Sequence, residues 1–327
     1  MANQFDNRTN PTFLQLYKPN ANAVMAELQQ GLLAKPATTS PKFLYDALGS
    51  RLFDAITELP EYYPTRVEAS IVAQYQNEMA AVIGQGHTLI DLGAGSCEKA
   101  ARFFPSLQPS SYVAVDISVD YLRDVLERLQ QQHPQIRMLG LGMDFSQRLA
   151  LPAEVNQIEA GNRVFLYPGS SIGNFTPDEA GVFLQHIHSA CNGSGGLLIG
   201  VDLVKDPQVL QAAYDDALGV TAAFNRNMLL HINRLLGSDF NIKQWHHRAL
   251  FNAELSRIEM HLDATEALTV RWPQGERYFA KGENIHTENS YKYTAANFLQ
   301  LLANAGFQSI RNWQDAEKQF CVFWAKA

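Results

Sequence analysis

One stretch constrains the fold more than any other: Leu89-Ile90-Asp91-Leu92-Gly93-Ala94-Gly95-Ser96-Cys97-Glu98-Lys99. An apolar strand runs into a Gly-x-Gly turn and out into a helix. Glycine there lets the backbone reverse tightly and approach a bound molecule with no Cβ in the way. The rhythm continues downstream, with strands predicted over 87–92, 112–115, 136–141, 164–167 and 197–203 and helices over 98–104, 120–131 and 177–190. Strands alternating with helices imply a mostly parallel sheet covered on both faces. Upstream, 1–20 reads as a loose arm. Helices are predicted over 22–34, 42–58 and 66–84, and the prolines at 60 and 64 interrupt the helical pattern.

After residue 204 the alternation stops. Residues 207–236 read as largely helical, and 255–262 and 267–272 as short antiparallel strands. A helix over 294–305 and a closing hairpin of 309–313 and 320–325 complete the chain. The expected architecture is α/β. A Rossmann-like domain spans 66–203 and resumes over 291–327; a second, inserted α+β unit from 14–65 and 204–290 caps it. A ligand site belongs between them, above the strand ends. The 327 residues, 46% hydrophobic, suit two packed units.

The net charge of −7 and the lack of any Lys/Arg run argue against a nucleic-acid partner. The three cysteines, Cys97, Cys191 and Cys321, lie far apart, which fits a reducing cytoplasm rather than a disulfide framework. No apolar run reaches membrane-spanning length, and the N-terminus lacks a signal pattern. His186/His188 and His246/His247 lack zinc-site spacing, so no metal is expected. Ser170-Ser171 lacks the frame of a nucleophile elbow. A cytoplasmic monomer acting on a small molecule is the expectation.

Two cofactors use a strand–glycine turn–helix layout. NAD sites want a third glycine, because the helix N-terminus meets a pyrophosphate; here that position is Glu98, which a pyrophosphate would repel. S-adenosylmethionine carries no phosphate. Asp116, at the end of the next strand, can accept from both ribose hydroxyls. Asp144 suits the adenine amine and Phe145 its face, while Asp91 and the loop carbonyls suit the cationic amino-acid end. S-adenosylmethionine is therefore the expected cofactor, with Gly93, Asp116, Asp144 and Phe145 around it. The plainer alternative is that Gly93 and Gly95 only make a tight turn.

Longer motifs carry a resemblance: FLYDALGSRLF over 43–53, LPEYYPTR over 59–66, GSSIGN over 169–174, DLVKD over 202–206, AYDDA over 213–217, TAAFNRN over 221–227, IEM over 258–260 and TENS over 287–290. In these the chain resembles the histidine Nα-methyltransferases of ergothioneine biosynthesis, a branch of the class I methyltransferases. The resemblance implies that Tyr45, Gly93, Lys99, Asp116, Asp144 and Phe145 hold S-adenosylmethionine, with Tyr45 and Asn174 at the reacting groups. It implies that Tyr62, Asn174 and Tyr214 hold the carboxylate and amine of a free amino acid, Phe53 and Gly169 line that end, and Met260, Glu288 and Ser290 surround an imidazole. The sequence departs from the family at Tyr167-Pro168 and at Tyr291-Lys292-Tyr293, which bears on substrate preference rather than reaction class.

The residue types suit these roles. Tyr hydroxyls and an Asn amide donate to a carboxylate without adding fixed charge near a sulfonium, the Gly169 carbonyl or the Asn174 oxygen can accept from an amine, and a carboxylate with a hydroxyl suits an imidazole. Each also has a plainer reading. Tyr62 and Tyr63 could plug a domain junction, Asn174 could be a turn residue, Tyr214 and Met260 could be packing groups, and Glu288 and Lys99 could be solvated. Competing functions are methylation of another amino acid or aromatic amine such as tryptophan, and a non-catalytic S-adenosylmethionine-binding regulator.

Overall fold

The structure, a computed structural model, describes residues 10–17, 20–117, 119–145, 149–159 and 161–327. Its strands in chain order are β1 (Thr12–Gln15), β2 (Ala37–Thr38), β3 (Thr88–Leu92), β4 (Ser111–Asp116), β5 (Arg137–Gly142), β6 (Arg163–Tyr167), β7 (Gly195–Asp202), β8 (Trp245–Asn252), β9 (Arg257–Ala264), β10 (Leu268–Trp272), β11 (Gly275–Phe279), β12 (Asn284–Tyr291), β13 (Gln308–Gln314) and β14 (Phe320–Lys326). Eight form one sheet in the order β1-β5-β4-β3-β6-β7-β14-β13. Strands β1 and β3–β7 run parallel, and β14 is antiparallel to both neighbours. The chain leaves β3 toward β4 and β5, then crosses back to β6, so the strand order reverses at β3/β6. In open α/β sheets that switch point is where ligands bind. This is the mostly parallel α/β sheet expected from the alternation, in the Rossmann-like class I form that the resemblance implies.

Strands β3 and β7 are buried along their whole length, as strands covered on both faces must be. Helices Pro177–Ala190 and Ala295–Asn304 cover one face through Phe183, Leu184, Phe298 and Leu302. Helices Tyr63–Ile83 and Val119–Gln132 cover the other through Ile71, Met79, Leu122 and Leu126. Each fully buried side chain of this size contributes about 1.5–3 kcal/mol. Thr176 and Glu179 close a reciprocal capping box at the start of Pro177–Ala190.

A second sheet, β2-β12-β9-β8, and the ribbon β10-β11 build the cap. Helices Ala21–Leu33 and Val220–Leu236 pack on it through Leu28, Leu32, Phe224, Met228 and Ile232, around Met260, Leu262 and Ile285. Along β9, Ile258, Met260 and Leu262 face inward. Opposite them Ile285 pairs with Leu262 but Glu288 pairs with Met260, because the register shifts between His286 and Glu288. That bulge turns Glu288 and Ser290 inward, where strict alternation from Ile285 would turn them out.

Several local expectations need correction. Thr12–Gln15 is not loose: it adds a parallel edge strand to β5, so the start of 14–65 belongs to the large sheet and not to the cap. Residues 1–9 and 18–19 of the arm lie outside the described residues. The helix expected over 42–58 is a 3₁₀ turn, Pro41–Leu44, then a helix, Ala47–Thr57, capped by Asp46, whose carboxylate accepts from Gly49 N at 2.7 Å. The helix expected from 66 begins at Tyr63, because Pro64 is tolerated in a first turn where no N–H is needed. The stretch 98–104 is two short helices, Glu98–Ala101 and Phe104–Leu107, with Pro105 in the second. Residues 207–236 split into Pro207–Ala212 and Val220–Leu236 around Gly219. Strand β12 runs to Tyr291, one residue into the stretch assigned to the large domain.

Strand β1 is held partly by the Gln15 side chain, which accepts from Val119 N at 3.1 Å and donates to Tyr17 O at 2.6 Å. A Cβ on Gly142 would stand 2.2 Å from Gln15 Oε1. Gly142→Val should therefore expel Gln15 and unzip β1 at a cost of about 1–2 kcal/mol. The check is hydrogen exchange: protection at 12–15 should vanish while that of β3 and β7 persists.

Candidate functional site

The glycine turn closes over β4. Gly93 and Ala94 donate to Val115 O at 2.8 and 3.0 Å, and Gly95 N donates to Asp116 Oδ2 at 3.1 Å. Asp116 Oδ1 accepts from Ile117 N at 2.7 Å. Asp116 thus holds the loop that it borders. Asp144 and Phe145 follow β5 directly and are half-buried. The Phe145 ring stands edge-on to Tyr167 at 6.1 Å and 3.7 Å from where a Gly93 Cβ would lie, so it walls the glycine turn.

Asp91, one strand residue before the turn, is buried. Its Oδ2 accepts from Tyr112 Oη at 2.7 Å, but its Oδ1 has no hydrogen-bond partner among the described residues. Burial pushes its pKa up to about 7. A buried carboxylate oxygen without a partner costs free energy unless a ligand donates to it.

Nearby, a cleft of about 490 Å³ opens between the large sheet and the cap. Its walls include Tyr45, Phe53, Tyr62, Gly169, Asn174, Tyr214, Met260, Glu288 and Ser290, so one cavity gathers every expected substrate-side residue. Each arrives by a local device. Tyr45 sits in the break between the 3₁₀ turn and the Asp46-capped helix, packed edge-on to Phe53 at 5.7 Å and Phe224 at 5.5 Å. Tyr62 immediately precedes its helix. Asn174 ends the 3₁₀ turn Ser171–Asn174. Gly173 lets that turn dock on β12, since a Cβ there would meet Tyr291 O at 2.8 Å and Ser290 Oγ at 3.3 Å. Gly169 has φ +78°, a conformation that glycine adopts without penalty, and donates its N–H to Glu68 Oε1 at 2.8 Å.

Several polar groups in the cleft lack protein partners. The Tyr45 and Tyr62 hydroxyls, the Asn174 amide and the Glu288 carboxylate make no hydrogen bond to a described residue. Glu288 is only 8% exposed, and burial raises its pKa to about 7 against the opposing pull of Lys292. Tyr214 and Ser290 differ: Tyr214 Oη donates to Ser290 Oγ at 2.7 Å, and Lys292 Nζ donates to both, at 3.1 and 2.8 Å.

Lys99 does not share this cleft. It lines a second cavity of about 400 Å³ with Glu68, Arg102, Phe103 and Pro168, on the other side of Gly169. Its Nζ lies 3.4 Å from Glu68 Oε2 and 2.5 Å from where a Gly169 Cβ would be.

Residue reading overlooked Glu68, Lys292 and the framing role of Asp202. Asp202 is fully buried at the end of β7 and is met by Tyr63 Oη at 2.8 Å, Lys205 Nζ at 2.5 Å and Lys292 Nζ at 2.7 Å. Burial pushes its carboxyl up, but the two ammonium groups outweigh that and hold it below the usual range. The available signals were an acid ending an apolar strand and a lysine between two tyrosines. The one cluster with metal-ligand spacing among the described residues is Glu259, His261 and His286, outside the cleft. Burial pushes its carboxyl up, but Arg257 at 2.6 Å, with hydrogen bonds from Asn252 and His261, outweighs that and holds it at about 2.

A sheet reversing at β3/β6, a glycine turn at that point and an orphaned acid beside it define a class I methyltransferase. Residues 24–327 match the profile of a family described as histidine-specific, S-adenosylmethionine-dependent methyltransferases, and the chain belongs to that family. It is 38% identical over 306 residues to a histidine N-alpha-methyltransferase of Mycolicibacterium smegmatis, covering 92% of this chain and 94% of that protein. The corresponding figures for a histidine N-alpha-methyltransferase of Mycobacterium tuberculosis are 36% over 304 residues, 91% and 93%. A Neurospora crassa protein named ergothioneine biosynthesis protein 1 is 30% identical over 279 residues, which is 83% of this chain and 31% of that protein.

The cofactor is S-adenosylmethionine. The site fits it: Asp91 Oδ1 lacks the donor that an ammonium supplies, and Glu98 leaves the helix N-terminus unsuited to phosphate. Because Asp91 must be ionised to pair with that ammonium, affinity for S-adenosylhomocysteine should rise about tenfold per pH unit up to about 7 and then level. Calorimetric titration from pH 5.5 to 7.5 checks it, and Asp91→Asn should bind weakly with a flat profile.

Proposed function

We propose that this enzyme transfers methyl groups from S-adenosylmethionine to the α-amino group of free L-histidine, on to the trimethyl betaine hercynine, as a step of ergothioneine biosynthesis. The observation that carries the reading is Glu288: a buried carboxylate, without a hydrogen-bond partner, in a cleft beside the glycine turn. Its carboxylate lines the cleft, where a ligand N–H can complete it. Its neighbour Ser290 supplies a hydroxyl, and Met260 an adaptable apolar wall.

The remaining residues suit the other end of the amino acid. Tyr62, Asn174 and Tyr214 hold the carboxylate and amine, with Phe53 and Gly169 lining that end. The Gly169 carbonyl or the Asn174 oxygen accepts from the amine and aims its lone pair. On the cofactor side, Gly93, Asp116, Asp144 and Phe145 hold the adenosine, with Asp91, Lys99 and Tyr45 toward the methionine end. The bound cofactor supplies a methyl group on a sulfonium. An amine that has lost its proton needs no further activation, so the chain's contribution is alignment, which can supply about 7–11 kcal/mol. We divide the chain accordingly: a cofactor domain of 66–203 plus 291–327, joined by β1, and a substrate cap from 204–290 with most of 14–65. Cytoplasmic placement fits three cysteines that are all free and buried. Among the described residues no helix is long and apolar enough to cross a membrane.

The test is Glu288→Gln, which keeps shape and removes charge. Histidine kcat/KM should fall by about 2–3 kcal/mol, on the order of 30- to 150-fold. Histamine, lacking the carboxylate, should be a poor substrate of the wild type. If Glu288→Gln methylates histidine normally, or if tryptophan outcompetes histidine, the substrate assignment is wrong.

The same variant carries a stability prediction. A carboxyl raised from 4.5 to about 7 in the fold is destabilising once ionised, so stability drops as pH climbs from the unfolded pKa through the folded one. Above pH 7 the ligand-free Glu288→Gln protein should be more stable than the wild type by about 2–3 kcal/mol, and near pH 4 equally stable. Urea melts at both pH values check it.

A further inference from the structure

The Lys292 ammonium is buried, with three protons and no lone pair, and three acceptors surround it. They are Asp202 Oδ2 at 2.7 Å, Ser290 Oγ at 2.8 Å and Tyr214 Oη at 3.1 Å. An ammonium can only donate, so all three contacts run outward from Lys292. Tyr214 Oη and Ser290 Oγ stand 2.7 Å apart, and the phenol, the more acidic of the two hydroxyls, is the donor of that pair. Ser290 Oγ therefore accepts twice, which fills both its lone pairs. What it can still offer the cleft is its single O–H. Tyr214 Oη, having donated once and accepted once, keeps one lone pair and no proton. Between them the two hydroxyls have one proton left to point at a ligand.

We infer that Lys292 is a positioning residue that fixes Ser290 as a hydrogen-bond donor, so that the cleft takes the substrate ring as a neutral imidazole in a single tautomer. This rests on the reading that the ring lies between Glu288 and Ser290. The Glu288 carboxylate can only accept, so it takes the ring's N–H. Ser290 can only donate, so it meets the ring nitrogen that carries the lone pair. An imidazolium, with an N–H on both nitrogens, would direct one of them at an oxygen with no lone pair to spare, and the reversed tautomer would face a mismatch at both ends. Without Lys292, Ser290 would hold a lone pair as well as a proton and would accept either ring form. Asp202 keeps the ammonium in place, with its other oxygen held by Lys205 and Tyr63.

The experiment uses L-histidine labelled with ¹⁵N in the ring, bound to the full-length protein with S-adenosylhomocysteine at pH 7.5. Nitrogen resonances distinguish a protonated ring nitrogen from one bearing a lone pair. The wild type should show one of each, with no averaging between them. In Lys292→Met the two resonances should move toward the averaged or doubly protonated pattern. Two protonated nitrogens in the wild type, or a Lys292→Met spectrum identical to the wild type, would overturn the inference. Lys292→Met leaves Asp202 with Lys205 and Tyr63. Tyr214→Phe, which also frees a lone pair on Ser290, is the second variant and should loosen the tautomer in the same direction. Glu288→Gln separates the two layers of argument. If it leaves the bound ring's shifts unchanged, the ring does not lie in this subsite and the reading beneath the inference fails. If it moves them while Lys292→Met and Tyr214→Phe do not, only the role of Lys292 fails.

Discussion

The Asp202 carboxylate has no exposed surface, and groups from separate parts of the chain converge on it: Tyr63 from the start of a long helix, Lys205 from the loop that follows, and Lys292 from beyond β12. Its own backbone N–H donates to Ser170 Oγ at 2.9 Å, in the turn that delivers Asn174. One carboxylate thus fixes the large sheet, the substrate turn and the end of the cap strand relative to one another. A buried ion network of this kind is weak evidence for stability, since apolar replacements of similar shape often do as well; loss of a single partner, by contrast, typically costs about 3–5 kcal/mol. What the network provides here is placement of polar atoms at the floor of a cleft, with proton directions that follow from a lysine's inability to accept.

The large sheet was legible because its signals are local. Apolar runs such as Leu197–Ile199 in β7, a glycine turn and a 3.6-residue helical period each read out within a few residues. The cap was less legible. Strands β8, β11 and β12 carry charged and histidine side chains on their outer face, which dilutes their apolar pattern, and β1 is a four-residue edge strand whose only reason to order is a partner 127 positions away. Helix boundaries slipped wherever an Asp cap or a proline decided them, as at Asp46 and Pro64.

The site divides similarly. Gly93, Asp116 and Phe145 follow from chemistry at strand ends. Residue type alone left Tyr62, Asn174, Tyr214, Met260 and Glu288 undecided between packing and binding, and only family motifs singled them out; the structure sets them around one cavity. Glu288 shows why residue type was not enough. A glutamate is nearly always solvated, and nothing in the neighbouring TENS residues announces that this one is enclosed. The role of Lys292 was missed for a related reason: it lies in three contacts, to Asp202, Tyr214 and Ser290, with no local pattern to reveal them.

The bulge between His286 and Glu288 gives the cap strand something like a reading frame. Inward positions fall on odd residues up to Ile285 and on even residues from Glu288 onward, so the single extra residue at Thr287 decides which half of the strand's alphabet the substrate meets. Point substitutions at Glu288 or Met260 edit one letter and leave the rest of the cleft intact. Loss of Thr287 would instead remove the bulge and keep Glu288 opposite Met260, whereas closing the bulge with Thr287 still in place would bring Asn289 inward and turn both Glu288 and Ser290 to solvent. Within this architecture, substrate choice can drift by substitution, but the register of β12 against β9 is locked to it.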